Sequence, residues 1–260
     1  MSSATITTSA RLMNSTPQTE EQAMVRKVAV SSFLGNFIEW FDYASYSYFA
    51  TTIALVFFPT DNHTVAMLQT FGVFALSFIL RPIGALFWGS YGDKKGRKAA
   101  LAHSIMFMSG ASFLIGCLPS YSVIGVGAPI LLLLLRMVQG FSASGEYAGA
   151  ATFLGEYAPT SKRGIYCSLI PASTAIGLLA GSTLATLMTA NMNSSAMVGW
   201  GWRVPFLLAG PLGLIVLYIR AKLADSPVYQ SMNDALESKG AASADGQIAA
   251  KSGMFAPLAE

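Results

Sequence analysis

The sequence predicts an all-α, polytopic membrane protein of six transmembrane helices with both termini in the cytoplasm. Three observations carry that prediction. Of the 260 residues 53% are hydrophobic and only 11% charged, against roughly 25% charge in an ordinary soluble domain. Mean hydropathy is +0.51, and stretches near 28–57, 65–91, 99–118, 126–157, 164–190 and 203–221 are mostly apolar. Each is long enough for a hydrocarbon layer of about 30 Å, which takes roughly 17 to 25 helical residues. Finally, Lys and Arg fall only in alternate connections, as expected where basic residues stay on the cytoplasmic side.

Taken in order, residues 1–27 form a Ser/Thr-rich tail with Arg11, Arg26 and Lys27 and no removable signal peptide, expected to be cytoplasmic. Lys94, Lys95, Arg97 and Lys98 lie between the second and third spans, Lys162 and Arg163 between the fourth and fifth, and Arg220, Lys222, Lys239 and Lys251 follow the sixth. The opposite connections, 58–64, 119–125 and 191–202, hold no Lys or Arg. Barrel strands would need period-two alternation, which runs such as Ala128 to Leu135 lack. On the fifth span Ser173, Gly177 and Gly181, four residues apart, make a small ridge suited to close helix packing. After Leu223 the chain turns polar and Ala/Ser-rich, so 28–222 reads as the membrane bundle and 223–260 as a truncated cytoplasmic linker.

The charge balance excludes some functions. A net +3 without a basic block gives no electrostatic footprint for nucleic acid. Cys117 and Cys167 fall near opposite membrane faces and read as small apolar fillers rather than a disulfide. No metal set or cofactor motif stands out.

Chemistry concentrates on the first and fourth spans. At 100° per residue Asn36, Glu39, Tyr43 and Tyr46 share an arc of roughly 80°, with Asp42 at its edge. Phe33, Phe37, Trp40, Phe41, Ala44 and Tyr48 occupy the other side, suited to lipid or neighbouring helices. A carboxylate near the bilayer centre costs about 2.5 to 3.5 kcal/mol on insertion scales, so Glu39 and Asp42 need water, protonation or a partner. Two readings follow: a wet face bordering a water-filled path for protons or solute, or acidic groups that pair with arginines and hold the bundle together. Tyr43 and Tyr46, with Trp40 less well placed, offer either ring faces to a cationic head group or ordinary aromatic packing.

Arg136, Gln139 and Glu146 lie in the fourth span. Arg136 and Glu146 stand too far apart along the helix to bond each other, so each is expected to find a partner on another helix or a ligand. Arg136 could fork two hydrogen bonds to a solute carboxylate. Arg81, just before Pro82, reads as structural and paired with a carbonyl or acidic group; Arg203, after Trp200 and Trp202, reads as an interfacial anchor.

Between the second and third spans runs Gly89-Ser90-Tyr91-Gly92-Asp93-Lys94-Lys95-Gly96-Arg97-Lys98, which predicts a short tight turn. It lacks the Gly-Lys-Ser/Thr ending of a phosphate-cradling loop. It resembles the G-x-x-x-D-x-x-G-R-[RK] signature of the major facilitator superfamily at Gly89, Asp93, Gly96, Arg97 and Lys98. Gly35 to Tyr43, Leu80 to Gly84, Gln139 to Ser142, Gly145 to Tyr147 and Trp200 to Phe206 narrow the resemblance to the metabolite:proton symporters, the proline/betaine, α-ketoglutarate, citrate and shikimate permeases, over about residues 26 to 230.

That resemblance implies proton-coupled uptake of a small organic solute across a bacterial inner membrane by alternating access, with the proton gradient as driving force and no cofactor. It implies that the chain forms the amino-terminal half of a twelve-span bundle built from two inverted three-helix repeats. The solute and proton pathway would then involve Asn36, Glu39, Asp42, Tyr43, Tyr46, Arg136, Gln139 and Glu146, with the 89–98 loop as gating element. Its partners would be the solute, protons, the lipid bilayer and a missing carboxy-terminal six-helix half or a second copy. Two alternatives stay open at this point: an inert or scaffolding fragment of a split transporter, and an intramembrane serine protease around Ser144, for which only His63 and His103 are available as base.

Overall fold

The computed structural model describes residues 3–223 and Ser231, with side chains described from Gln22 onward. The linker expected at 223–260 therefore lies outside the described residues, apart from Leu223 and Ser231. All regular structure among the described residues is helical, with no strand. Helix α1 (Ser3–Tyr48) runs unbroken through the boundary expected near 27, and a turn at Phe49 joins it to α2 (Ala50–Phe57).

Two expected spans are broken into pairs of helices. The second consists of α3 (His63–Ile79) and α4 (Arg81–Lys95), which part at Leu80 because Pro82, in the first turn of α4, offers no backbone N–H. The fourth consists of α7 (Gly127–Ala143) and α8 (Glu146–Tyr157), parted at Ser144-Gly145; a short α6 (Tyr121–Ile124) precedes it. The third span is α5 (Arg97–Cys117). The fifth combines α9 (Arg163–Cys167) with α10 (Leu169–Asn191), and after a short α11 (Ser194–Gly199) the sixth is α12 (Val204–Ala221).

Among the described residues five helical stretches are long and apolar enough to cross a membrane: His63–Lys95, Arg97–Cys117, Gly127–Tyr157, Thr160–Asn191 and Gly201–Ala221. The first expected span, 28–57, is not among them, and it is the one that carries Asn36, Glu39 and Asp42 in its middle. Large apolar side chains point outward at frequencies a water-soluble globule avoids, with Leu68 at 72% and Leu86 at 76% exposure.

The turn expected across 89–98 is tighter than the sequence suggested. Helix α4 continues to Lys95, and Gly96 alone reverses the chain with φ +93°, a left-handed conformation that only glycine adopts without strain.

Packing follows an exchange between the first three spans and the last three. Helix α1 lies against α10 and α12, α7 lies against α3 and α5, and α5 lies along α12. Each pairing has a counterpart with the two units swapped, the pattern of an inverted repeat. Glycines bring the backbones together at matching places. A Cβ on Gly177 would stand 2.8 Å from the Phe37 carbonyl oxygen, and one on Gly181 2.9 Å from that of Phe41. On the other side Gly84 meets the Phe141 carbonyl and Gly140 that of Ser77, still more closely. The ridge of Ser173, Gly177 and Gly181 is thus a packing surface, and all three are buried.

Because backbone atoms are what the missing side chains would strike, Gly140→Val and Gly177→Val should each lower stability in detergent by about 1–3 kcal/mol or more. Gly110→Ala, whose added carbon meets nothing within 4 Å, should leave the thermal unfolding midpoint at or above that of the parent chain.

Candidate functional site

The polar stripe of α1 points into the bundle, not toward a water-filled face. Asn36, Glu39, Asp42, Tyr43 and Tyr46 are all buried, whereas Phe33, Phe37 and Trp40 are half-buried and Tyr48 is exposed. Of the two readings of this face, the burial fits the one in which its acids pair with arginines, since an arginine from another helix reaches each carboxylate. Phe41 and Ala44, expected toward lipid or neighbours, are buried against Gly181.

Among the described residues three guanidinium–carboxylate pairs, at Glu39, Asp42 and Glu146, join helices in the interior of the bundle. At the level of Gly35, Glu146 on α8 meets Arg220 on α12 in a two-pronged arrangement. Arg220 also donates to the carbonyls of Leu101 at 2.6 Å and Ser31 at 3.4 Å, and Ser104 donates to Glu146 at 3.3 Å. Both carboxylate oxygens and both terminal guanidinium nitrogens therefore have partners, and a Cβ on Gly35 would collide with this pair. This pair clamps α1, α5, α8 and α12 together and leaves nothing for a ligand. The structure does not bring Glu146 into one group with Asp42 and Arg136.

The second pair lies deeper. Arg136 Nη1 donates to Asp42 Oδ2 at 2.9 Å and to Gln139 Oε1 at 2.7 Å, and Gln139 Nε2 donates to Ser112 Oγ at 2.5 Å. The Arg136 guanidinium lies 3.8 Å from the Tyr46 ring centroid, with Phe74 and Phe206 both at 5.7 Å. Tyr46 itself donates its hydroxyl to the Thr70 carbonyl at 2.9 Å. In contrast to the clamp, this pair is incompletely satisfied: Asp42 Oδ1 and Arg136 Nε and Nη2 are buried without a hydrogen-bond partner. An unpaired buried polar atom costs about 1–3 kcal/mol, and more if charged, so such a cluster is either a strained reservoir or a place a ligand or proton completes.

The third pair joins Glu39 to Arg81 at 2.5 Å, and Arg81 also contacts the Tyr43 hydroxyl. Arg81 lies 5.0 Å from the Tyr43 ring centroid and 4.7 Å from that of Phe78. Glu39 Oε2 and Arg81 Nε have no hydrogen-bond partner. Asn36 Nδ2 packs against α10 with Ile170 O, Ser173 Oγ and Thr174 Oγ1 as acceptors at 2.8–3.0 Å, its two N–H groups shared among the three, while its Oδ1 is buried without a partner.

In the expected gating loop Gly89 and Asp93 are exposed, Gly92 and Gly96 buried, and Lys98 half-buried. Arg97 reaches across to Glu156 at the end of α8, 2.9 Å away. Arg203 donates to the carbonyls of Gly116 and Leu118, capping the end of α5, a more specific task than that of an interfacial anchor. Sequence reasoning did not single out Ser112, Glu156 or the Phe74 and Phe78 rings, and it named no acidic partner for Arg81 or Arg220. An arginine inside an apolar span demands an acceptor, so Arg220, one residue before the end of α12, was the available signal for a third pair.

Comparison with known proteins decides the class. A family model described as "Sugar (and other) transporter" matches residues 27–252. The chain belongs to this transporter family of the major facilitator superfamily. A proline/betaine transporter of Salmonella typhimurium is 42% identical over 217 residues, which cover 84% of this chain and 43% of that protein. The glycine betaine/proline/ectoine/pipecolic acid transporter OusA of Dickeya dadantii matches with the same identity and the same coverage. The chain thus spans a little under half the length of these curated relatives. Among solved structures, a partially occluded, inward-open conformation of the xylose transporter XylE from E. coli superposes with a TM-score of 0.73 at 17% identity, covering 81% of this chain and 52% of that one. At that identity the likeness establishes the major facilitator fold alone. Relatives of this family are named as transporters and not as enzymes. The protease alternative falls with that, and Ser144 is committed to the Phe141 carbonyl at 2.7 Å while His103 Nδ1 lies 2.7 Å from the Ala99 carbonyl.

The satisfied clamp gives a clear stability expectation. Glu146→Gln and Arg220→Met should each cost about 3–5 kcal/mol by stranding a buried charge, whereas the double variant should be far less destabilised than the sum. Thermal unfolding of the four proteins in one detergent measures the coupling.

Proposed function

We propose that the chain is a six-span, amino-terminal-type unit of a proton-coupled secondary transporter for a small organic solute of the proline, betaine or carboxylate kind. In this reading it works in a bacterial inner membrane together with a second six-helix unit or a second copy. The observation that carries the reading is the Asp42–Arg136 pair, held in the middle of the bundle with three polar atoms unpartnered. A carboxylate and a guanidinium so placed can change partners: a proton on Asp42 neutralises it and weakens its hold on Arg136, while Gln139 and the Tyr46 ring keep the guanidinium in position. Alternating access converts that change into movement of solute.

Several features support the reading. The names of the relatives concern proline, betaine, ectoine and pipecolic acid. The stretch 28–57 is taken as a sixth span because its carboxylates are neutralised from neighbouring helices, which lowers the cost of placing it in hydrocarbon. In this reading the chain has six spans and both ends in the cytoplasm, with 1–27 and 223–260 as cytoplasmic segments, which the restriction of Lys and Arg to alternate connections supports. Gly96 and the Arg97–Glu156 bond give the 89–98 loop a rigid, charged turn suited to gating.

Cells making the chain, alone or with a complementary six-helix half, should accumulate radiolabelled betaine or proline when a proton gradient is imposed. Asp42→Asn and Arg136→Gln should lower that uptake by about tenfold or more, since each removes charge-assisted hydrogen bonds of about 1.5–3 kcal/mol. Uptake that survives both changes would show that the pair is not on the pathway. For topology, a membrane-impermeant thiol reagent added to intact cells should label Cys117, at the outer end of α5, and leave Cys167, near the inner end of the fifth span, unlabelled until the membrane is opened.

A further inference from the structure

The two unsatisfied pairs differ in one respect that decides which can receive a solute. The Arg136 side chain is 0% exposed, enclosed by Tyr46, Phe74 and Phe206; the Arg81 side chain is 28% exposed. Arg81 sits at the start of α4, at the break after Leu80, so its flexible stem hangs from a helix end rather than a continuous helix. Its guanidinium lies over Tyr43 and Phe78, rings whose centroids are 5.7 Å apart, and Trp40 meets Tyr43 edge-on at 5.8 Å. Glu39 supplies a carboxylate to the same spot and keeps its second oxygen unpartnered, as is Trp40 Nε1.

A carboxylate beside aromatic faces is the environment that receives an organic cation, by charge and by cation–π attraction. Here the cation in residence is the protein's own. We infer that the Glu39–Arg81 pair is the point at which a zwitterionic solute inserts: its cationic head takes the place of Arg81 against Glu39, Tyr43 and Phe78, and its carboxylate leaves with the Arg81 guanidinium. The inference rests on the solute-carrier reading above and assigns the solute contact to Arg81 rather than to the sealed Arg136.

The exchange is favourable on simple electrostatic grounds. One ion pair becomes two, no net charge enters the low-dielectric interior, and the partnerless Oε2 of Glu39 and Nε of Arg81 gain opposite charges to face. A plain cation would expel Arg81 without giving it an anion, and a plain anion would take Arg81 and leave Glu39 buried and unpaired. Charge conservation thus selects zwitterions over either ion alone. Phe78, a residue 39% exposed, forms the outer wall past which the head group enters.

The test is equilibrium binding of radiolabelled glycine betaine to the purified full chain in lipid nanodiscs, with tetramethylammonium and acetate as competitors. The parent chain should bind betaine, with each single-charge ion at least about tenfold weaker, the equivalent of one charge-assisted hydrogen bond. Arg81→Met should reverse the preference, so that tetramethylammonium competes about as well as betaine or better. Phe78→Leu keeps the ion pair and the fold while removing one ring face, and should weaken betaine binding several-fold without changing acetate competition. If Arg81→Met does not fold, Phe78→Leu alone decides. Betaine binding that is unchanged in the folded variants would overturn the site while leaving the carrier reading standing; absence of betaine binding by the parent chain both alone and with a complementary six-helix half would overturn both.

Discussion

An ionised group inside hydrocarbon must meet an opposite charge, and that constraint organises this bundle. Glu39, Asp42 and Glu146 are each within 2% of complete burial, and each is reached by an arginine from a different helix. The links run from α1 to α4, from α1 to α7 and from α8 to α12, so the charges tie together most of the long helices. Apolar side chains cannot supply this specificity, because lipid tails solvate them as well as a neighbouring helix does. Backbone contact at Gly84, Gly140, Gly177 and Gly181 supplies close approach, and the ion pairs supply rotation and register.

The three pairs are not equivalent, and the difference is how fully each is hydrogen-bonded. Glu146 and Arg220 fill one another's valences and add Leu101 O, Ser31 O and Ser104 Oγ. Such a pair has nothing to gain from change. The pairs at Glu39 and Asp42 share an excess of unpartnered nitrogen and oxygen atoms and a wall of rings. The contrast separates a clamp from groups poised to exchange partners, a distinction that burial alone, near complete in all three acids, does not make.

The helical class and five of the spans were legible because length and hydropathy are local properties of the chain. The breaks at Leu80 and at Ser144-Gly145 were less so: Pro82 marks the first, but Gly145 marks the second only through the Trp88 ring, which leaves no room for a Cβ there. The reactive side chains of α1 were legible from their arc, and their orientation was not. Period and polarity say that Glu39 and Asp42 share a face; only the position of Arg81 and Arg136 on other helices says that this face turns inward. Partner identity is a long-range property, and forty-two and ninety-four residues separate the two acids from their arginines.

Helix α1 holds two of these acids three residues apart, and that spacing couples the pairs. Glu39 and Asp42 sit on adjoining turns of one rigid helix, facing α4 and α7 respectively. Tyr43 and Tyr46 repeat the same spacing and carry the ring faces for Arg81 and Arg136, while Phe74 touches both rings from α3. A rotation of α1 that opened one acid to a new partner would therefore shift the other acid and both rings together. Arg81 is partly exposed and Arg136 enclosed, so on the reading proposed above an exchange of partners at the outer pair is felt at the inner one through a helix that cannot turn at one residue alone.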